Sequence, residues 1–244
     1  MKLKNSLHSL GLSWIRDNLD EELADAARKN RTHQELLERL VVGELELRLA
    51  RAVERRLKAA RLPTVKTLDQ FDWAWPKKIN RDQIKHLFSL RFLEEKANAV
   101  FIGGTGLGKT HLALALAHEA CQQNRHVLFA SAVQIINTLT AAQTSSTLER
   151  ALKRYHAPEL LIIDELGYLP VDRTGADLLF QVLGGRYERA ATVITTNRAY
   201  RDWAKTFAND ATLASAVLDR ICHHCETVVI EGRSYRMKGR IEEP

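Results

Sequence analysis

The chain has 244 residues, 45% of them hydrophobic, with a formal net charge of +6 and an isoelectric point near 9.3. That length supports a sizeable core in one or two domains, and with no uninterrupted run of ~18 apolar residues a membrane-spanning helix is not expected. The basic excess favours a polyanionic partner, without identifying it. In chain order, Met1-Lys2-Leu3-Lys4-Asn5-Ser6-Leu7-His8 lacks the apolar centre of a secretory leader, so a cytoplasmic protein is expected. Residues 1–62 read as a small all-helical domain. Asp20-Glu21-Glu22 opens a segment that closes on Arg28, with acids early and bases late, as the helix dipole favours. Thr32-His33-Gln34-Glu35 has the form of a capping box and opens a long helix that no proline interrupts before Pro63.

Along that helix Leu45, Leu49, Ala52 and Val53 share one side. Arg48, Arg51, Arg55 and Lys58, spaced by three, four and three, share another. Such a basic stripe can follow a phosphate backbone, or it is simply a solvated face. Residues 63–80 form a linker holding Phe71, Trp73 and Trp75. The rings are expected to clamp it against the following domain, with stacking on a base as the alternative.

Residues 81–244 alternate helices and strands, which predicts an α/β domain with a five-stranded parallel sheet. A helix is expected over 81–96, then strands near 99–103, 126–131, 159–164, 191–196 and 226–231. Two helical pieces between the second and third strands are broken at Gln143-Thr144-Ser145-Ser146. After the first strand comes Gly103-Gly104-Thr105-Gly106-Leu107-Gly108-Lys109-Thr110, then a helical run from His111. This is G-x-x-x-x-G-K-[ST] between a strand and a helix, the context that makes the motif specific for nucleoside triphosphates. Its glycines let backbone N–H groups approach phosphate, Lys109 reaches the β- and γ-phosphates, and Thr110 ligates Mg²⁺.

The third strand, Leu160-Leu161-Ile162-Ile163, is aliphatic throughout, as suits burial on both faces, and delivers Asp164 and Glu165 to the carboxyl edge of the sheet. Asp164 is expected on Mg²⁺ and Glu165 as the base for an attacking water. Thr192-Val193-Ile194-Thr195-Thr196 carries Asn197 to the same edge, either to orient the water or contact the γ-phosphate, or as a turn residue before Arg198. Near the end, Cys222-His223-His224-Cys225 resembles a metal motif, but structural zinc takes four ligands, usually from two separated pairs, and the chain has no second pair. It reads as packing at a helix end. The three cysteines, Cys121, Cys222 and Cys225, are expected to stay reduced.

GGTGLGKTH, LLIIDE and VITTN stand in the order and spacing of the AAA+ ATPases. The chain resembles the branch containing the replication initiator DnaA and the helicase loader DnaC. Phe71-Asp72-Trp73, Asp164-Glu165-Leu166-Gly167-Tyr168-Leu169-Pro170, Arg186-Tyr187-Glu188, Leu218-Asp219-Arg220-Ile221 and Gly232-Arg233-Ser234-Tyr235-Arg236 resemble the IstB-like transposition helper ATPases in particular. The likeness runs from about residue 8 to residue 240.

The resemblance implies ATP and Mg²⁺ as cofactors, the glycine-rich loop from Gly103 to His111 as the nucleotide site, and catalysis by Lys109, Asp164, Glu165 and Asn197. It implies self-assembly on double-stranded DNA and presentation of that DNA to a transposase. Arg220 matches the arginine that a neighbouring subunit contributes to the γ-phosphate, with a pair to Asp219 or another acid on its own surface as the alternative. Arg236 matches an arginine acting on the nucleotide of its own chain, although the tail is too short for a full lid. In the initiator-like branch the segment with Lys153 and Arg154 faces DNA. The leading expectation is an ATP-dependent DNA-binding helper of transposition. A DnaC-like replicative helicase loader is the alternative, and a small-molecule kinase fits the adjacent Asp164 and Glu165 less well.

Overall fold

A computed structural model of the chain describes residues 2–237. Its contacts divide it into two compact units, Met1–Arg55 and Arg56–Pro244. The first holds α1 (Lys2–Ser9), α2 (Ser13–Arg28) and most of α3 (His33–Ala60). Leu7, Leu19 and Leu40 form its core, with Leu12, Trp14, Ile15 and Leu36 packed around them. Polar groups fix the helix starts. The Thr32 N–H donates to Glu35 Oε2 at 2.7 Å and the Glu35 N–H to Thr32 Oγ1 at 3.3 Å, the capping box predicted from sequence. Buried Glu44 accepts the N–H groups of Trp14 and Ile15 at the head of α2. Arg39 grips Glu22 through two bonds of 2.7 Å.

The second unit contains α4 (Arg81–Phe88), α5 (Arg91–Glu94), β1 (Asn98–Gly103), α6 (Lys109–Gln122), β2 (Val127–Ser131), α7 (Ala132–Thr144), α8 (Leu148–His156), β3 (Leu160–Leu166), α9 (Arg173–Arg186), β4 (Ala191–Thr196), α10 (Ala211–Cys222) and β5 (Cys225–Ile230). The strands form one parallel sheet in the order β2-β3-β4-β1-β5. The five predicted strands are therefore present. The helix expected over 81–96 is two helices. Leu90 adopts φ +58° between them, which ends α4 and lets Leu90, Phe92 and Leu93 all turn inward.

Successive residues of the central strands enter opposite cores. Phe101, Ile162 and Val193 join Leu112 and Leu116 of α6 on one face. Val100, Ile163 and Ile194 join Ile135, Leu179 and Val217 of α7, α9 and α10 on the other. Buried Arg186 ties the second layer to the sheet. Its guanidinium donates to the carbonyls of Tyr155 (2.8 Å), Pro158 (2.9 Å) and Ala191 (2.5 Å) and to Thr192 Oγ1 (3.0 Å). Burial holds its pKa down at about 10. Among the described residues no helix is long and apolar enough to cross a membrane.

Candidate nucleotide site

β1 ends at Gly103 and α6 begins at Lys109, so the glycine-rich loop joins a central strand to a helix N-terminus. Gly106 and Gly108 have φ of +77° and +87°. A Cβ on Gly106 would lie 2.1 Å from Ser234 Oγ, and one on Gly108 would lie 2.6 Å from the Phe71 ring. The turn therefore requires glycine for backbone conformation and for space. The loop lines a cavity of about 500 Å³ together with Glu165, Tyr168, Thr195, Thr196, Asn197, Tyr235 and Arg236.

Inside this cavity Lys109 Nζ donates to the Gly104 carbonyl at 2.7 Å. Burial pushes its ammonium below the ordinary lysine value; Asp164 opposes that, Arg236 adds to it, and Glu165 opposes it again. Asp164, 6% exposed, sits at the carboxyl edge of β3 as expected. Its Oδ1 accepts from Thr110 Oγ1 at 2.9 Å and from Thr195 Oγ1 at 2.5 Å. A hydroxyl and a carboxylate oxygen side by side are the hard donors that Mg²⁺ takes with phosphate oxygens and water. The triphosphate and the cation thus fit the residues present.

Glu165 is exposed and adopts φ +60°. The β3–β4 register runs through Ile163↔Ile194 and resumes at Leu166↔Thr196, so Asp164 and Glu165 occupy a bulge. Bulges re-aim side chains beside active sites, and this one turns Glu165 into the cavity while Asp164 stays beneath. The Glu165 N–H donates to Thr195 Oγ1 at 2.9 Å. One buried hydroxyl therefore links both acids. Thr195 was not singled out from sequence: β4 holds Thr192, Thr195 and Thr196, and only the pairing with β3 tells them apart. Asn197 is exposed on the cavity wall, and the next N–H, of Arg198, bonds to Thr196 Oγ1 at 3.1 Å.

Linker and tail complete the wall. Buried Phe71 packs edge-on to Trp73 and His111, with centroids 5.0 and 5.6 Å away, which is the expected clamp. Trp75 clamps as well, donating from Nε1 to the Arg233 carbonyl at 2.8 Å and packing edge-on to Tyr235, and it also lines the cavity. The Tyr235 N–H bonds to the Gly106 carbonyl at 2.8 Å, and Lys78 pairs with Glu231 in an antiparallel bridge. Arg236 reaches the cavity through this tail. His111 also lines it, with a ring nitrogen 3.0 Å from the Thr67 carbonyl.

The remaining predicted residues lie elsewhere. Arg220 lies over the Phe180 ring at 4.6 Å, with Nη1 donating to the Ala216 carbonyl at 2.9 Å, and is not part of the cavity lining. On α3, Arg48 bonds to Glu44 and to the Gly11 carbonyl, Arg51 bonds to Ser13 Oγ, and Arg55 and Lys58 are exposed. Lys153 pairs with Glu149 at 2.7 Å, and Arg154 lies over the Tyr155 ring at 5.6 Å. The run from Cys222 to Cys225 differs from its reading as packing. α10 ends at Cys222 and β5 starts at Cys225, so the link between them faces outward and only Cys225 is half-buried. All three cysteines are free.

A family model described as IstB-like ATP binding protein matches residues 5–243. The chain is 40% identical to an ATP-binding protein of insertion sequence IS21 from Pseudomonas aeruginosa, over 98% of this chain and 90% of that one. It is 36% identical to the corresponding protein of insertion sequence IS232 from Bacillus thuringiensis subsp. berliner, over 99% and 96%. Among solved structures, the DnaC helicase loader superposes with a TM-score of 0.54 at 24% identity, over 72% of this chain and 99% of that one. The replication initiator DnaA bound to AMPPCP and single-stranded DNA gives 0.56 at 21% identity, over 70% and 52%. The last two likenesses show the AAA+ fold. With a family match over nearly its whole length and a phosphate loop backed by two carboxylates, the chain belongs to the IstB-like ATP-binding proteins of insertion sequences.

Proposed function

We propose that this protein is an ATP-hydrolysing helper of DNA transposition. It assembles as a homo-oligomer on target double-stranded DNA in the cytoplasm and recruits or stimulates the transposase of its mobile element. The observation that carries the hydrolytic part is the Thr195 hydroxyl shared between Asp164 and the Glu165 backbone. In this reading the loop from Gly103 to His111 and the Lys109 ammonium hold the phosphates. Thr110 and Asp164 hold Mg²⁺, which when bound neutralises charge on the transferred phosphoryl. Glu165 accepts a proton from the attacking water, and Asn197 orients that water. Arg236 contacts the nucleotide of its own chain.

Arg220 serves a neighbouring copy's nucleotide. Its place outside its own cavity lining supports that role. An arginine supplied in trans is worth roughly 10³–10⁵ in turnover, so assembly would govern hydrolysis. Residues 1–62 form the unit that engages DNA or transposase, 63–80 the linker, and 81–244 the ATPase domain. Arg48, Arg51, Arg55 and Lys58, with Lys153 and Arg154, supply phosphate contacts.

Full-length likeness to insertion-sequence proteins supports this reading over a helicase loader. The test is phosphate release per molecule against protein concentration, with and without duplex DNA. Turnover that rises with both is expected. Full turnover by dilute protein, indifferent to DNA, refutes the proposal, and capture of a replicative helicase in place of a transposase would favour the loader.

A further inference from the structure

The run Cys222-His223-His224-Cys225 has no second ligand pair in the sequence, and the fold supplies a different partner. The turn after α9 brings Glu188 against the link between α10 and β5. Among the described residues, Glu188, His223 and His224 form the one group of three ligating side chains whose donor atoms all lie within 4.8 Å of one another. His223 Nδ1 is 3.6 Å from Glu188 Oε1, and the two imidazole rings have centroids 4.2 Å apart. Cys225 does not join them; its Sγ lies 3.9 Å from Thr227 Oγ1.

Polar anchors fix the backbone beneath these exposed side chains. Buried Arg186, two positions before Glu188, is held by the carbonyls of Tyr155, Pro158 and Ala191, and its Nε donates to Thr192 Oγ1. The N–H groups of Arg189 and Ala190 both bond to the Arg186 carbonyl, which closes the turn that carries Glu188. On the other side the Asn98 N–H donates to the His224 carbonyl at 2.7 Å, and Asn98 Nδ2 to the Ile221 carbonyl at 3.1 Å. Asn98 Oδ1 in turn accepts the Thr192 N–H at 3.0 Å. Both turns are therefore tied to Thr192 of β4, one through its hydroxyl and the other through its N–H. Ligands set on a shared rigid base are what a preorganised site requires.

Two imidazoles and a carboxylate are donors that suit Zn²⁺. Bonds of about 2.0–2.1 Å in tetrahedral geometry put ligand atoms roughly 3.3 Å apart, so small rotations of three exposed side chains close the set. An ion pair between Glu188 and His223 would use one ring only, whereas a metal ion uses both. The Tyr187 hydroxyl, 3.0 Å from His223 Nδ1, holds that ring in place.

We infer that Glu188, His223 and His224 form a three-ligand site for Zn²⁺, with the remaining position left to water. The ion clips the end of α10 to the turn after α9, just beyond Arg220. This site is separate from the Mg²⁺ site at Thr110 and Asp164, and its occupancy does not depend on the role proposed for Arg220.

The test is a calorimetric titration of Zn²⁺ into the tag-free full chain, with Mg²⁺ in excess to fill the oxygen site. One ion per chain is expected, with a dissociation constant of roughly 10 μM or tighter. Glu188→Gln, His223→Ala and His224→Ala should each weaken binding at least tenfold with unchanged circular dichroism, because all three side chains are exposed. Cys222→Ser, and His33→Ala at an exposed position of the first unit, should leave it unchanged. Binding no tighter than that of a chain carrying both His223→Ala and His224→Ala overturns the inference. So does Zn²⁺ binding that survives Glu188→Gln undiminished, or that Cys222→Ser abolishes. The titration reads no turnover, so failure of the proposed ATPase role would leave its result intact.

Discussion

Replacing Thr195 by valine tests the arrangement of the two acids directly. The side chain is 1% exposed, and valine keeps its shape. What is lost is a hydroxyl bond of 2.5 Å to the Asp164 carboxylate and the acceptor for the Glu165 N–H. A hydrogen bond to a charged group contributes about 1.5–3 kcal/mol. The second loss is smaller, about 0.5–1.5 kcal/mol, because Glu165 is exposed and water replaces part of the bond. The sum, about 2–4.5 kcal/mol, corresponds to a fall of about 4–18 °C in melting temperature for a chain of this size. Serine keeps the oxygen and loses one buried methyl group, about 1 kcal/mol. Thermal melts by circular dichroism should therefore rank wild type, serine and valine in that order. Phosphate release should fall at least tenfold in the valine variant with nucleotide binding retained, because Glu165 loses its anchor. Equal melting temperatures for the valine and serine variants, or full hydrolysis by valine, would refute the argument.

Glu165→Gln should bind ATP normally yet release phosphate at least 10²-fold more slowly, read by nucleotide affinity beside single-turnover hydrolysis. Arg220→Ala should leave the nucleotide affinity of the isolated chain unchanged and abolish stimulation by DNA and by protein concentration. Arg186→Lys should cost about 3 kcal/mol or more in a urea melt, because one ammonium cannot reach the carbonyls of Tyr155, Pro158 and Ala191 together. Acid should weaken the first unit. Lys29 and then Arg28 hold the Asp25 carboxyl down at about 2, and Arg39 lowers that of Glu22. Both are depressed on folding, so their stabilisation is present above the ordinary carboxylate range and is lost as pH falls towards 2. Arg39→Met should flatten that pH dependence, measured by urea melts between pH 5 and pH 2.5.

The local chemistry was the legible part of this chain. Burial on both faces makes β1 and β3 apolar runs and β4 a β-branched one, and the glycine-lysine-threonine spacing announces the loop between β1 and α6. Thr32 and Glu35 announced the start of α3. The less legible part depends on long-range geometry. Thr195 matters because β4 lies beside β3 and a bulge shifts the register at Asp164, neither of which a single strand's residues reveal. Trp75 reaches the Arg233 carbonyl, 158 positions further along the chain, and meets the Tyr235 ring edge-on at 5.5 Å. The split between α4 and α5 rests on Leu90 taking a backbone conformation that leucine rarely adopts, for the sake of burying its side chain.

The strand order has a consequence for biosynthesis. β4 stands between β1, which leads into the glycine-rich loop, and β3, which carries the acids, yet it is made after both. A nascent chain that has emerged only as far as β3 has both signature sequences and no wedge to hold them at the right spacing. Competence for nucleotide therefore arrives late in translation, once residues 191–196 have slotted into the middle of a sheet whose neighbours were waiting.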